Sequence, residues 1–133
     1  MGDRSSIKVL GFAGSLRKAS WNRGLLRAGQ QVAPFDVAIE IFDISDIPLY
    51  SEDVRQQGFP PVVQSFRERI RVADALLIAT PEYNYSVPGV LKNAIDWASR
   101  PPDQPFQDKP IALMGASAGT AAPFCRAPRR NRR

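Results

Sequence analysis

The chain has 133 residues, enough for one domain with a real core, and its 44% apolar content is ordinary for a globular fold. It holds no histidine and a single cysteine, Cys125, which excludes His-based triads, His metal sites and internal disulfides. The net charge of +5 is local: Arg126, Arg129, Arg130, Arg132 and Arg133 account for all of it, so residues 1–120 are neutral overall.

The first element is a short apolar run, IKVLGF at 7–12, which predicts a strand. The residues before it carry no signal-type apolar stretch, and no run approaches a membrane span, so a cytoplasmic place without a membrane partner is expected. The bend AGSLRKASWN at 13–22 follows. Its hydroxyls, amide and cations lie just before a helix pattern over about 23–32, and backbone N–H groups at a helix start join such groups in a ready anion site. Ser15, Ser20 and Asn22 can donate to phosphate oxygens, and Arg17 can add a charge-assisted contact. The plainer reading is a solvated turn in which Ser20 or Asn22 caps the helix.

Residues 37–42 read as a second strand, followed by a long loop over 43–59. Pro60 and Pro61 suit the first turn of a helix over 61–72, whose Val62, Val63, Phe66 and Ile70 share a face. A third, buried strand over 75–79 ends in the polar and aromatic turn TPEYNYS at 80–86. Pro88 and Gly89 lead into a third helix to about 99, with Val90, Leu91, Ala94, Ile95 and Ala98 as its inner stripe and Pro101-Pro102 as its stop. Trp97 on that helix is expected in the core or an interface. After the loop 100–109 come a fourth strand at 110–115 and the bend GASAGT at 115–120.

Residues 121–133 show neither helical nor strand period. No aromatic groups interleave with their arginines and no groove-entering motif is present, so a nucleic-acid partner is not expected. The break predicts a domain over 1–120 that lacks its C-terminal helix and strand, and a tail over 121–133 that is disordered or comes from a shifted reading frame.

Alternating strands and helices predict an α/β fold, a three-layer doubly wound parallel sheet with right-handed crossovers. Near-continuous apolar strands are expected where both faces of a sheet are covered. Ligands bind just past the carboxyl ends of such strands, where the three bends lie. A dinucleotide fingerprint is absent: Gly11-x-x-Gly14 followed by Ser15 and Arg17 suits a terminal phosphate better than a bridging pyrophosphate.

GSLRKASWN at 14–22, PEYNYS at 81–86, GASAGT at 115–120 and VLKNAIDWASRP at 90–101 together resemble the NADPH-dependent FMN reductase family, of flavodoxin-like fold. That family includes quinone, chromate and azoreductase-type enzymes. The resemblance covers residue 7 to about 120. It implies an FMN phosphate site at Ser15, Arg17, Ser20 and Asn22. It implies contacts to the flavin ring and ribityl chain from Pro81, Glu82, Tyr83, Asn84 and Tyr85, and a border on the other side of the ring at Ser117 and Gly119. It also implies NAD(P)H as co-substrate, a small-molecule electron acceptor, and assembly as a homodimer or homotetramer. Simpler roles stay open for several of these residues. Tyr83 and Tyr85 suit a sheet-edge cap, Glu82 a solvated charge, and Ser117 with Gly119 a tight turn. Trp21 suits either a phosphate shield or a place under the first helix. An electron carrier without its own turnover, or an inactive fragment, are the alternatives to a reductase.

Overall fold

Four parallel strands and four helices emerge in a computed structural model, which describes residues 6–117. They are β1 (Ile7–Ala13), α1 (Trp21–Val32), β2 (Val37–Phe42), α2 (Glu52–Gln56), α3 (Pro61–Val72), β3 (Ala75–Ala79), α4 (Gly89–Ala98) and β4 (Ile111–Met114). The sheet order is β2-β1-β3-β4, every pair parallel. This is the start of the flavodoxin-like order, whose direction of winding reverses between β1 and β3. The alternation read from the sequence therefore gives the α/β sheet expected of it. Gly119 and residues 121–133 lie outside the described residues.

The two faces of the sheet are unequal. Leu10 and Phe12 of β1 and Leu76 and Ile78 of β3 point to the side covered by α3 and α4. There they meet Val63, Phe66, Ile70, Leu91 and Trp97, all at most 2% exposed apart from Ile78 at 5%. Phe66 stacks edge-on against Phe12 at 5.1 Å and lies 5.0 Å from Phe42. The opposite face has a smaller cluster, in which Leu26 of α1 sits on Ala13 and Ala79, flanked by the partly buried Leu25, Leu77 and Met114. Burial on both faces holds for β3 and for the carboxyl half of β1, whereas the start of β1 and the strands β2 and β4 keep exposed positions, Leu113 at 66% among them. Edge strands have a neighbour on one side only, so a continuous apolar run there does not guarantee cover.

Several boundaries moved for local reasons. α1 begins at Trp21 because Ser20 caps it, its Oγ accepting from the Arg23 N–H at 3.3 Å. The loop at 43–59 contains the short helix α2, which opens with Glu52 and Asp53 next to the N-terminal end of its dipole. The same loop is strapped to α4: Asn93 Nδ2 and Trp97 Nε1 both donate to the Pro48 carbonyl at 2.8 Å. Arg67 is 3% exposed and donates to the backbone carbonyls of Ala98 at 2.5 Å and Arg100 at 2.8 Å, and to Asp103 Oδ1 at 2.6 Å. It caps the carboxyl end of α4, where orphan carbonyls need donors.

Candidate functional site

Three chain bends meet at the carboxyl edge of the sheet, and backbone contacts lace them together. Ala13 of β1 is in register with Ala79 of β3, and the Gly14 N–H donates to the Ala79 carbonyl at 2.8 Å. The Thr80 N–H donates in turn to Met114 O at 2.9 Å, joining the second bend to the third. The approach is close enough to require glycine. A Cβ on Gly14 would lie 2.5 Å from Thr80 Oγ1, and one on Gly115 would lie 2.8 Å from the Thr80 carbonyl oxygen. Any side chain at either position pushes the bends apart.

The first bend, residues 14–20, is built around unclaimed donors. Among the described residues, the N–H groups of Leu16, Arg17, Lys18 and Ala19 have no backbone acceptor. They precede the N-terminus of α1, whose first-turn N–H groups also point outward. Ser15 and Ser20 are buried beneath them, and Arg17 and Lys18 are exposed above, with no ion pair to either among the described residues. The Ser20 hydroxyl accepts the cap bond and keeps its own proton to donate. Consecutive backbone N–H groups with a helix terminus and cations form an anion cradle. This donor set fits a phosphate dianion.

Asn22 has a different position from a simple phosphate donor. It is 3% exposed, and its amide grips the backbone of Ala116. Oδ1 accepts from the Ala116 N–H at 3.0 Å, and Nδ2 faces the Ala116 carbonyl at 3.4 Å. The side chain mimics a strand neighbour and ties the first bend to the third. Trp21 is 72% exposed, so it does not pack under α1.

The second bend folds into a tight hairpin that no sequence pattern announced. Tyr83 and Ser86 form an isolated antiparallel bridge, exchanging N–H···O bonds of 3.0 and 3.1 Å. The two residues between them, Asn84 and Tyr85, have φ of 53° and 59°. Left-handed backbone at both central residues is the I′ pattern, which favours Asn and Gly. Asn84 fits; a tyrosine there is strained, and such strain gathers at ligand clamps. Tyr85 is 86% exposed, Tyr83 and Asn84 are also exposed, and Pro81 and Glu82 are half-buried at the base. The hairpin thus holds two aromatic rings out over the carboxyl edge. Ser117 is exposed directly after Ala116, on the third bend. Asn84 and Tyr85 N–H groups have no acceptor among the described residues, so they fit the carbonyl oxygens of a flat ring.

Beside this crevice, Asp43 follows β2 and pairs with Arg23 of α1 at 2.5 Å. Partial burial would raise its carboxyl, but the Ser45 N–H and hydroxyl and the Arg23 guanidinium outweigh that and hold it below the usual carboxylate value. Among the described residues there is no cluster of metal-ligating side chains, and no helix is long and apolar enough to cross a membrane.

Comparison with known proteins matches the same stretch. A family model described as NADPH-dependent FMN reductase matches residues 7–124. The chain is 65% identical over 113 residues to an NAD(P)H-dependent FMN reductase of Pseudomonas aeruginosa, covering 85% of this chain and 61% of that protein. It is 50% identical over 115 residues to a quinone reductase of Escherichia coli, again covering 85% and 61%. Among solved structures it superposes on FerB, a flavoenzyme NAD(P)H:(acceptor) oxidoreductase from Paracoccus denitrificans, with a TM-score of 0.79 at 41% identity, covering 85% of this chain and 62% of that one. The chain spans about three fifths of the length of each of these relatives.

Proposed function

The chain belongs to the NADPH-dependent FMN reductase family, and from that premise we propose that it binds FMN at its carboxyl edge and works as an NAD(P)H-dependent reductase of quinone- or flavin-type acceptors. The observation that carries this reading is the convergence of an anion cradle at 14–20 and an aromatic hairpin at 83–86, fixed by the Gly14–Ala79 bond and the Asn22–Ala116 grip. Bound FMN would supply the redox chemistry, accepting hydride from a nicotinamide and passing electrons to the acceptor.

The protein's own part is binding and orientation. Ser15, Ser20, Arg17 and the backbone N–H groups of 16–19 take the phosphate, where several donors and a cation balance a dianion. Asn22 holds the first bend against the third, so the cradle and the ring border keep a fixed spacing. Tyr83 and Tyr85 offer flat apolar surface to the ring, and the Asn84 and Tyr85 N–H groups meet its carbonyl oxygens. Pro81 and Glu82 form the base of that wall, with Ser117 on the far side. No side chain is needed as a nucleophile. The exposed tyrosines support self-association as a homodimer or homotetramer, and the lone cysteine and absent apolar span support a cytoplasmic place.

The test is NAD(P)H oxidation followed by absorbance, with FMN alone and with FMN plus a benzoquinone. Turnover that requires FMN supports the reading. Flavin binding without turnover would make the chain a carrier, and folded protein that leaves FMN fluorescence unquenched would refute the site.

A further inference from the structure

The flavin-type site lies on one side of β1, toward β3 and β4. The other side holds a cavity of about 270 Å³ between α1 and the end of β2. Ala13 and Ser15 belong to its lining, so it opens from the base of the first bend, and Arg23, Arg27, Gln30 and Asp43 supply its polar wall. The volume is near the lower end of the roughly 300–1,000 Å³ span of ligand pockets, which suits part of a ligand and not a whole dinucleotide.

Its chemistry is that of a nucleotide ribose site. A carboxylate can accept from the hydroxyls of a ribose, and an arginine without an acidic partner can hold a 2′-phosphate. Here Asp43 stands one residue past β2, whose Phe42 is in register with Phe12 of β1, and it stays ionised through Ser45 and Arg23. Arg23 and Arg27 are four residues apart on one flank of α1, a like-charge pairing that disfavours the helix. Asp43 answers the charge of Arg23. Arg27 is exposed and forms no ion pair among the described residues, so one cation on this wall is left to meet an anion. Gln30, an exposed part of the lining, is tied to the Ile39 carbonyl at 2.8 Å.

We propose that this cavity is a second nucleotide subsite, which takes the adenosine ribose of NAD(P)H, Asp43 accepting from a ribose hydroxyl and Arg27 contacting a 2′-phosphate. The proposal rests on the NAD(P)H-dependent reading above. A mononucleotide with its phosphate in the first bend and its ring over the second leaves this side of β1 to the adenosine end of the hydride donor. The arrangement sets the preference between NADH and NADPH: the Asp43 carboxylate favours a free hydroxyl, and Arg27 favours the phosphate.

Calorimetric titration of the full chain with adenosine 2′,5′-bisphosphate and with AMP tests it without turnover. Both are expected to bind. Arg27→Gln is expected to weaken the bisphosphate about tenfold and AMP less than about threefold, while Asp43→Asn weakens AMP about tenfold, and FMN affinity stays unchanged in both variants. Absence of binding by either nucleotide, or equal losses for FMN, would overturn the proposal. Because FAD also carries an adenosine ribose, a parallel titration separates the sources: FAD binding about tenfold or more tighter than FMN would overturn NAD(P)H as the occupant. With reduced nicotinamide mononucleotide as donor, which lacks adenosine, the variants are expected to match the parent, and a loss there would also overturn it. A chain that binds the two adenosine nucleotides as expected but oxidises no hydride donor keeps the subsite and loses the proposed function.

Discussion

The first and second bends lie side by side on the same sheet edge yet are built on opposite plans. The first is an open arc of unclaimed N–H groups over two buried serines, with Arg17 and Lys18 above it. The second is a closed hairpin that satisfies its own end groups and spends backbone strain to raise Tyr85 into solvent. One suits a compact charge, the other a flat ring. The difference teaches that the two halves of a phosphorylated ring ligand are read by different means, and that they are separable by mutation.

The seam between the bends gives the largest expected effect. Gly14→Val drives a side chain into Thr80 and is expected to cost about 3 kcal/mol of stability, seen as a lower urea midpoint, with loss of FMN binding as well. Pairing it with Thr80→Gly is expected to recover part of both; no recovery would mean that the 2.5 Å approach is not the cause. Arg17→Ala is expected next, weakening FMN by about 2 kcal/mol, roughly thirtyfold, because a charge-assisted contact is lost. Riboflavin, which has no phosphate, is expected to bind as before, and equal losses for both flavins would break the division of labour.

Tyr85→Gly probes the other half. It is expected to weaken FMN and riboflavin alike, by about 1 kcal/mol of lost aromatic contact, while thermal stability holds or rises because glycine takes a left-handed φ freely. A variant that loses stability and keeps flavin affinity would make the tyrosine a structural cap. The smallest effect is Asn84→Ala, expected to lower stability by under about 1 kcal/mol without selective loss of either flavin, since Asn tolerates the left-handed region better than Ala.

Most of the fold was legible because burial is periodic. The strands at 37–42 and 75–79 and the helix at 61–72 match residue for residue, and α1, α4 and β4 differ only at their ends. α2 was missed, although Ser51 followed by Glu52 and Asp53 carries a helix-start signal. The hairpin at 83–86 was missed because Asn84-Tyr85 lacks the glycine that usually announces an I′ turn. Nothing local marks Arg67 as buried, since its carbonyl partners come from a helix end more than thirty residues away.

The order of strands and helices, and the residue types gathered at three strand ends, were decided by the sequence alone. A chain that alternates apolar periods of this kind has one economical way to cover a parallel sheet, and that way brings its bends to one edge. Which donors at that edge stay unclaimed was decided only in three dimensions. Asn22 became a tie to Ala116, Ser20 a cap, and Asp43 a partner of Arg23. Each of those side chains had several possible partners along the chain, and hydrogen-bond geometry, which needs atoms within about 3 Å, selects among them only after the strands have registered.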